Sequence, residues 1–330
     1  MSKTAFVTGA GGFIGSHLVD MLLAQDWQVK ALVRYTSTGT WGWLERYRSN
    51  QPKALTVVVG NVCDAEQMAN EAAGCDTIFH LAALIGIPYS YSAPNSYVQT
   101  NVVGTLNMLQ AARRHNVGRF VHTSTSEVYG SAIYTPIDEK HPLQGQSPYS
   151  ASKIGADMLV ESFFRSFDLP ALIIRPFNTF GPRQSARAVI PMIISQALSK
   201  PVIKLGSLDP IRDLTYVTDT AAGFIAGANA PDEACGKVYN LGTGKAVSIG
   251  DLARTVFELL EGEFSIETDP GRVRPEKSEV KHLLSQNTRA LDVLSWEPAL
   301  DLAEGLSLTI DWMKEELLRY AAAVQGSYVQ

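Results

Sequence analysis

Directly behind a short apolar β-type run, residues 4–8, the chain reads Gly9-Ala10-Gly11-Gly12-Phe13-Ile14-Gly15-Ser16-His17, with glycines at the spacing Gly9-x-x-Gly12-x-x-Gly15. Glycines alone are common in ordinary turns. Set between a strand and a helix at the opening of a βαβ pattern, each has a job. Gly9 allows a tight turn, Gly12 lets the backbone approach a pyrophosphate, and Gly15 lets the helix sit close to the strand. The helix N-terminus that follows attracts phosphate charge. Gly9, Gly12, Phe13, Ile14 and Gly15 are therefore candidate cofactor-binding residues, and the expected cofactor is a dinucleotide.

The rest of the first half agrees with that start. β-type runs at 4–8, 28–33, 55–59, 77–81, 119–124 and 171–175 alternate with helical-period stretches, the pattern of a parallel sheet with crossover helices. In residues 16–24, Leu18, Leu22 and Leu23 form one apolar stripe; in 101–114, Val102, Leu106 and Leu109 do so. The predicted fold class is α/β, a doubly wound parallel sheet of Rossmann type with a smaller α+β C-terminal part. After Pro176 the rhythm becomes irregular, with Gly-Pro, Asp-Pro and Arg-Pro turns, and the chain ends in a predicted helix over 306–320. The expected division is a dinucleotide-binding part over 1–176, with 213–230 returning to it, and a substrate-binding part over 177–330.

Composition narrows the partners. A chain of 330 residues, 45% hydrophobic, can bury a large core. A net charge of −5 with scattered Lys and Arg gives no basic face, which argues against nucleic acid and against a polybasic membrane contact. Anionic ligands must then be held by local sites. Cys63, Cys75 and Cys235 lack metal-ligand spacing and read as reduced thiols. The six histidines, His17, His80, His115, His122, His141 and His282, show no metal-like cluster, so no metal site is expected. The N-terminus lacks the build of a signal peptide, the longest apolar runs are too short to span a bilayer, and a cytoplasmic location is expected.

Two separated segments carry chemistry. One is Thr123-Ser124-Thr125-Ser126-Glu127-Val128-Tyr129-Gly130, behind the fifth predicted strand; the other is Tyr149-Ser150-Ala151-Ser152-Lys153, opening a helix. Four residues make about one helical turn, so Tyr149 and Lys153 share a face. A cationic Lys153 beside the phenol is expected to lower its pKa and make Tyr149 a usable base near neutral pH. Thr125 or a neighbour can donate a hydrogen bond to the substrate oxygen. At the end of the second strand, where a carboxylate would bond the ribose 2′-hydroxyl of NAD, stands Arg34, which can instead pair with a 2′-phosphate. The cofactor reading is NAD or NADP, leaning to NADP; a solvent-exposed loop arginine is the alternative.

Together these segments make the chain resemble the extended short-chain dehydrogenase/reductases, also called the NAD-dependent epimerase/dehydratase family. The resemblance covers essentially the whole chain. Further matching motifs are Leu81-Ala82-Ala83, Asn101 within Thr100-Asn101-Val102-Val103-Gly104-Thr105, Arg175-Pro176-Phe177-Asn178-Thr179-Phe180-Gly181-Pro182, Arg212-Asp213-Leu214-Thr215-Tyr216-Val217-Thr218-Asp219 and Trp296-Glu297-Pro298. Leu81, Ala82, Ala83, Asn61, Val62 and Pro176 complete the expected cofactor-lining set. The resemblance implies that Asn178, Arg212 and Arg274 contact the diphosphate and nucleoside of a nucleotide sugar, with Val189 near the base and Tyr89 at the substrate. Planar guanidinium groups suit phosphate oxygens. It also implies a homodimer joined through two helices of each subunit, here residues 96–115 and 149–167.

Family chemistry, by the same resemblance, begins with hydride removal from the sugar C4 as Tyr149 takes the hydroxyl proton. Glu127 stands where the 4,6-dehydratases place the base for the C5 hydrogen. Those acting on dTDP-glucose carry an Asp just before it, as the acid for the leaving C6 hydroxyl; here that position is Ser126. The catalytic set is thus Thr125, Ser126, Glu127, Tyr149 and Lys153. The Ser-Thr-Ser-Glu-Val-Tyr-Gly string is also similar to UDP-glucuronate decarboxylases. Trp41-Gly42-Trp43-Leu44, the loop from Leu84 to Tyr91, and the strings beginning at Gln184 and Arg274 are similar to 4,6-dehydratases of the legionaminic acid pathway, which act on nucleotide-linked N-acetylglucosamine. The loop after Arg34 is similar to GDP-mannose 4,6-dehydratases, which use NADP. The expected activity is a nucleotide-sugar 4,6-dehydratase; decarboxylation, 4-epimerisation and a non-catalytic dinucleotide-binding regulator are the alternatives.

Overall fold

The structure, a computed structural model, describes residues 2–269 and 280–317. Its centre is a seven-stranded sheet built from β1 (Thr4–Thr8), β2 (Gln28–Arg34), β3 (Leu55–Gly60), β4 (Thr77–His80), β5 (Arg119–Thr123), β6 (Ala171–Pro176) and a late strand, Val238–Leu241. The order is β3-β2-β1-β4-β5-β6, then Val238–Leu241, and every pairing is parallel. The interior strands β4 and β6 are buried along their whole length, which is why they read as continuous apolar runs rather than alternating ones. The order reverses between β1 and β4, so the crevice beyond Thr8 and His80 is the place where such a sheet binds ligands.

Helices cover both faces. On one, Leu18, Val19 and Leu22 of Phe13–Ala24 pack with Phe224, Ile225 and Ala228 of Val217–Asn229. On the other, Met108, Leu109 and Ala112 of Gly104–Arg114 meet Val160 and Phe163 of Pro148–Phe167. Pro148–Phe167 has strong local signals. Ser147 and Ser150 form a capping box, Pro148 opens the first turn, and Asp168 ends the helix in the left-handed region at φ 53°.

The chain after Pro176 is more ordered than its turn-rich sequence suggests. Ile211–Tyr216 is flanked by Asn178–Phe180, Ala246–Ser248 and His282–Leu283 in a four-stranded sheet, and Val202–Leu205 pairs with Ser265–Thr268. Ile193, Ile194, Leu252, Val256, Leu306 and Ile310 form the core of this part. The last helix, predicted over 306–320, is observed at Leu302–Glu315, four residues earlier at its start because Asp301 and Glu304 make a capping box. Its predicted end lies outside the described residues. The helix predicted over 101–114 also differs. Its regular part is Gly104–Arg114, preceded by a wider π turn at Val98–Val103 that holds Asn101.

Candidate active site

The strand ends β1, β4, β5 and β6 deliver the candidate residues to one side of the sheet. In the glycine turn, Gly9 has φ +69° and its backbone lies so close to Leu81 and Ala82 that a Cβ would sit 2.9 Å from Ala82 N. A Cβ on Gly15 would sit 2.2 Å from the Gly9 carbonyl oxygen, so only glycine lets the helix start this near the turn. Gly12 is the open one: it is exposed, and as the N-cap of Phe13–Ala24 it supplies no side-chain cap. The first-turn N–H groups are thus left for an anionic ligand, and the cradle fits a pyrophosphate. The Phe13 and Ile14 side chains turn away to pack on the C-terminal core.

A loop beyond β2 closes the other flank. Trp43 N donates to Gly11 O at 2.9 Å, and a Cβ on Gly11 would meet the Trp41 carbonyl oxygen at 2.5 Å. Trp43 in turn makes an edge contact with Trp312 of the last helix, the ring centroids 5.6 Å apart. Arg34 is the exposed last residue of β2, and Tyr35 behind it is 73% exposed. Asn61 is exposed after β3, its Oδ1 accepting from Cys63 N, whereas Val62 is buried against Gly104. Leu81, Ala82 and Ala83 are half-buried beyond β4, and Pro176 is the buried end of β6.

Thr8 organises the crevice. Its hydroxyl accepts from Leu81 N and Ala82 N, both at 3.1 Å, which leaves its proton for His80 Nδ1 at 2.9 Å. The His80 Nε2 proton then points to Thr105 Oγ1 at 3.0 Å, whose own proton goes to Asn101 O. Burial, first, and the neighbouring His122 and Lys153 hold the His80 pKa well below the usual imidazole value. The donor count and the burial therefore agree on a neutral ring.

The catalytic candidates converge. The Thr125 hydroxyl lies close enough to the Tyr149 phenol to favour its ionised form, and the Glu127 carboxylate lies near enough to act on it electrostatically. Thr125 Oγ1 also accepts from Glu127 N at 3.2 Å, capping the short turn Ser126–Tyr129. Ser126 is buried. One expectation is overturned. Burial, first, pushes the Tyr149 phenol up rather than Lys153 pulling it down, and the Lys153 ammonium donates to Thr123 O at 2.6 Å. Burial also holds Lys153 down to about 8, partly opposed by Asp157.

The substrate candidates are spread around the mouth. Tyr89 is exposed on Ile87–Ser92, its ring 6.1 Å from Tyr97, which makes an edge contact with Tyr149 at 6.2 Å. Asn178 opens its strand with Oδ1 buried and, among the described residues, without a hydrogen-bond partner; Val189 opens Val189–Ala197, and Arg212 is buried in Ile211–Tyr216. Arg274 lies outside the described residues. Asn101, a motif residue without an assigned role, clasps the loop after β4 through Leu84 N and Leu84 O, and donates to Ser152 Oγ at 2.9 Å. Among the described residues no helix is long and apolar enough to cross a membrane, and no cluster of His, Cys, Asp and Glu could hold a metal ion.

Comparison with known proteins agrees with this geometry. The family model for GDP-mannose 4,6 dehydratase matches residues 6–309. A dTDP-glucose 4,6-dehydratase of Streptomyces antibioticus is 33% identical over 94% of this chain and 92% of its own length. The solved UDP-N-acetylglucosamine 4-epimerase of Methanobrevibacter ruminantium M1, in complex with UDP-N-acetylmuramic acid, superposes with a TM-score of 0.86 at 32% identity, covering 96% of this chain and 99% of that one. A dTDP-glucose 4,6-dehydratase of Streptomyces venezuelae, solved with NAD bound, does so at 0.85 and 29%, covering 97% and 99%. The chain belongs to the GDP-mannose 4,6 dehydratase family, within the extended short-chain dehydrogenase/reductases that comprise nucleotide-sugar dehydratases and epimerases.

Proposed function

We propose that this protein is a nucleotide-sugar 4,6-dehydratase acting on nucleotide-linked N-acetylglucosamine and giving the 4-keto-6-deoxy sugar. The observation that carries the reading is Glu127 on the short turn capped by Thr125, close enough for its charge to act on the Tyr149 phenol. A carboxylate there serves a proton abstraction that simple oxidation and epimerisation do not need. A nicotinamide dinucleotide held at the glycine turn would supply the hydride acceptor for C4 and the donor for C6. Tyr149 takes the C4 hydroxyl proton as its phenolate, a form that burial disfavours in the protein alone and that positive charge beside the phenol must favour, and Thr125 hydrogen-bonds the C4 oxygen. Once C4 is a ketone the C5 hydrogen is acidic, and Glu127 removes it. A buried serine is too weak an acid to expel the C6 hydroxyl, so Glu127 returns the proton it has taken, releasing water; after hydride adds to C6, the proton that Tyr149 took from the C4 hydroxyl, passed on through Glu127, restores the C5 hydrogen.

For the dinucleotide we put NADP ahead of NAD, on Arg34 at the end of β2. Asn178, Val189, Arg212, Arg274 and Tyr89 are assigned to the nucleotide sugar. We assign the cofactor to residues 1–176 with 213–230 and the sugar nucleotide to 177–330, with Val238–Leu241 lending its strand to the cofactor sheet. The working unit is taken as a cytoplasmic homodimer through 96–115 and 149–167, where Val98, Met158 and Phe167 are exposed.

Mass spectrometry after incubation with UDP-, GDP-, CDP- and dTDP-sugars tests the reading. Loss of one water from an N-acetylglucosamine nucleotide is expected, and Tyr149→Phe should abolish it. An unchanged mass with inverted C4 would establish the second reading, 4-epimerisation, which the similarity to the archaeal 4-epimerase favours. Loss of carbon dioxide from UDP-glucuronate would mean decarboxylation, and no change with any sugar a non-catalytic dinucleotide binder.

A further inference from the structure

Beneath the catalytic groups lies a buried ionic cluster to which the reaction above gives no part. Asp157 is fully buried one helical turn beyond Lys153, and Arg175, on β6, is 3% exposed. Asp157 Oδ2 accepts from Arg175 Nη2 at 2.9 Å, from Arg175 Nε at 3.2 Å and from Ser124 Oγ at 2.7 Å. Arg175 Nη1 donates to the Tyr129 hydroxyl at 3.0 Å, and that hydroxyl donates to Asn240 Oδ1 at 2.6 Å. His122 Nε2 lies 3.3 Å from Asp157 Oδ1. A charge pair this deep is costly to bury and is a weak device for stability alone.

Its connections suggest another use. Ser124 immediately precedes Thr125, Tyr129 follows Glu127 by two residues, and Asp157 shares a helix with Tyr149 and Lys153. One carboxylate and one guanidinium thus grip both ends of the Thr125–Glu127 turn and the helix of the base. Resting on the function proposed above, we infer that Asp157 and Arg175 are positioning residues: they set the separation between the Thr125–Glu127 turn and the Tyr149–Lys153 helix. Tyr129 and Ser124 transmit the grip. Neither contact touches the reacting atoms, so the effect falls on turnover rather than on sugar binding.

The test uses the full chain with its cofactor, as Ser124→Ala and Tyr129→Phe, each removing one hydroxyl and little volume. kcat should fall by about tenfold to a hundredfold, as misplacement of reacting groups by ~1 Å does, with KM changed by less than about twofold. Amide exchange in the peptide spanning 124–130 should speed up in both variants. Unchanged kcat in both variants would overturn the inference, as would slowed turnover with unchanged exchange in 124–130. Should Tyr129→Phe fail to fold, Ser124→Ala decides. If the unmodified protein converts no sugar nucleotide, the proposed function fails instead, and the exchange of 124–130 still reports whether the turn is gripped.

Discussion

The glycine cradle proposed for the cofactor and the buried floor beneath the candidate catalytic groups sit side by side at the same edge of the sheet, yet they are made of different material. The cradle is backbone: Gly9, Gly12 and Gly15 shape it, the loop Trp41-Gly42-Trp43 backs it, and Arg34 at its rim is exposed. The floor is buried polar side chains: the charges of Lys153, Asp157 and Arg175 beside the uncharged rings of His80 and His122, tied by hydrogen bonds between elements far apart in sequence. A backbone site fails by steric intrusion; a buried ionic site fails by leaving a charge alone. Mutations in the two regions should therefore differ in size and in pH dependence.

The sharpest break is Arg175→Met, which leaves Asp157 buried without its cation. Such a removal costs about 3–5 kcal/mol, to be read as a lower midpoint in urea unfolding at pH 7.5. A loss below about 1 kcal/mol would mean the floor is not electrostatically closed. Next comes acid. Burial, ahead of the Lys153 charge, holds His122 down to about 4, so the folded state resists a proton that the unfolded chain accepts from pH 6.5 downward. Stability is then full above pH 6.5 and lost as pH falls toward 4, by about 3 kcal/mol for this ring alone. His122→Asn should flatten that limb; an unchanged slope would place the acid sensitivity elsewhere.

In the cradle, Gly15→Ala forces a Cβ onto the Gly9 carbonyl, an overpacking of about 2 kcal/mol that should be insensitive to pH between 4 and 6.5 and should release the dinucleotide from the purified protein. Retained cofactor would show the turn can yield. The smallest effect is at the rim. Arg34→Asp should leave folding within about 0.5 kcal/mol, as surface substitutions do, while shifting the NAD-to-NADP affinity ratio toward NAD by about tenfold, comparable to one charge-assisted hydrogen bond. Equal ratios in both forms would remove Arg34 from the 2′ site.

The cradle was legible because its signal is local. A strand, three glycines at fixed spacing and a helix lie within about twenty residues, and their geometric jobs follow from chain sterics. Tyr149 and Lys153 were legible for the same reason, four residues apart on one helix. Much of the floor was not. Asp157 shows only as a polar residue in the next turn after Lys153, and nothing local says that Arg175 and Ser124 will meet its carboxylate. The state of Tyr149 was misjudged for a related reason, since desolvation is a property of the whole surrounding packing. The seventh strand, Val238–Leu241, hid within an irregular stretch because its pairing with β6 spans some sixty residues.

The order of strands and helices in the first half, the glycine turn and the presence of a phenol and an ammonium on one helical face are properties of the sequence alone, since each depends on neighbours within a turn or a strand. Which charges lose their water, which buried groups pair, and how the Thr125–Glu127 turn meets the Tyr149 helix were decided only by the tertiary structure. Burial and the pairing of distant strands set those quantities, and no short stretch of chain contains them.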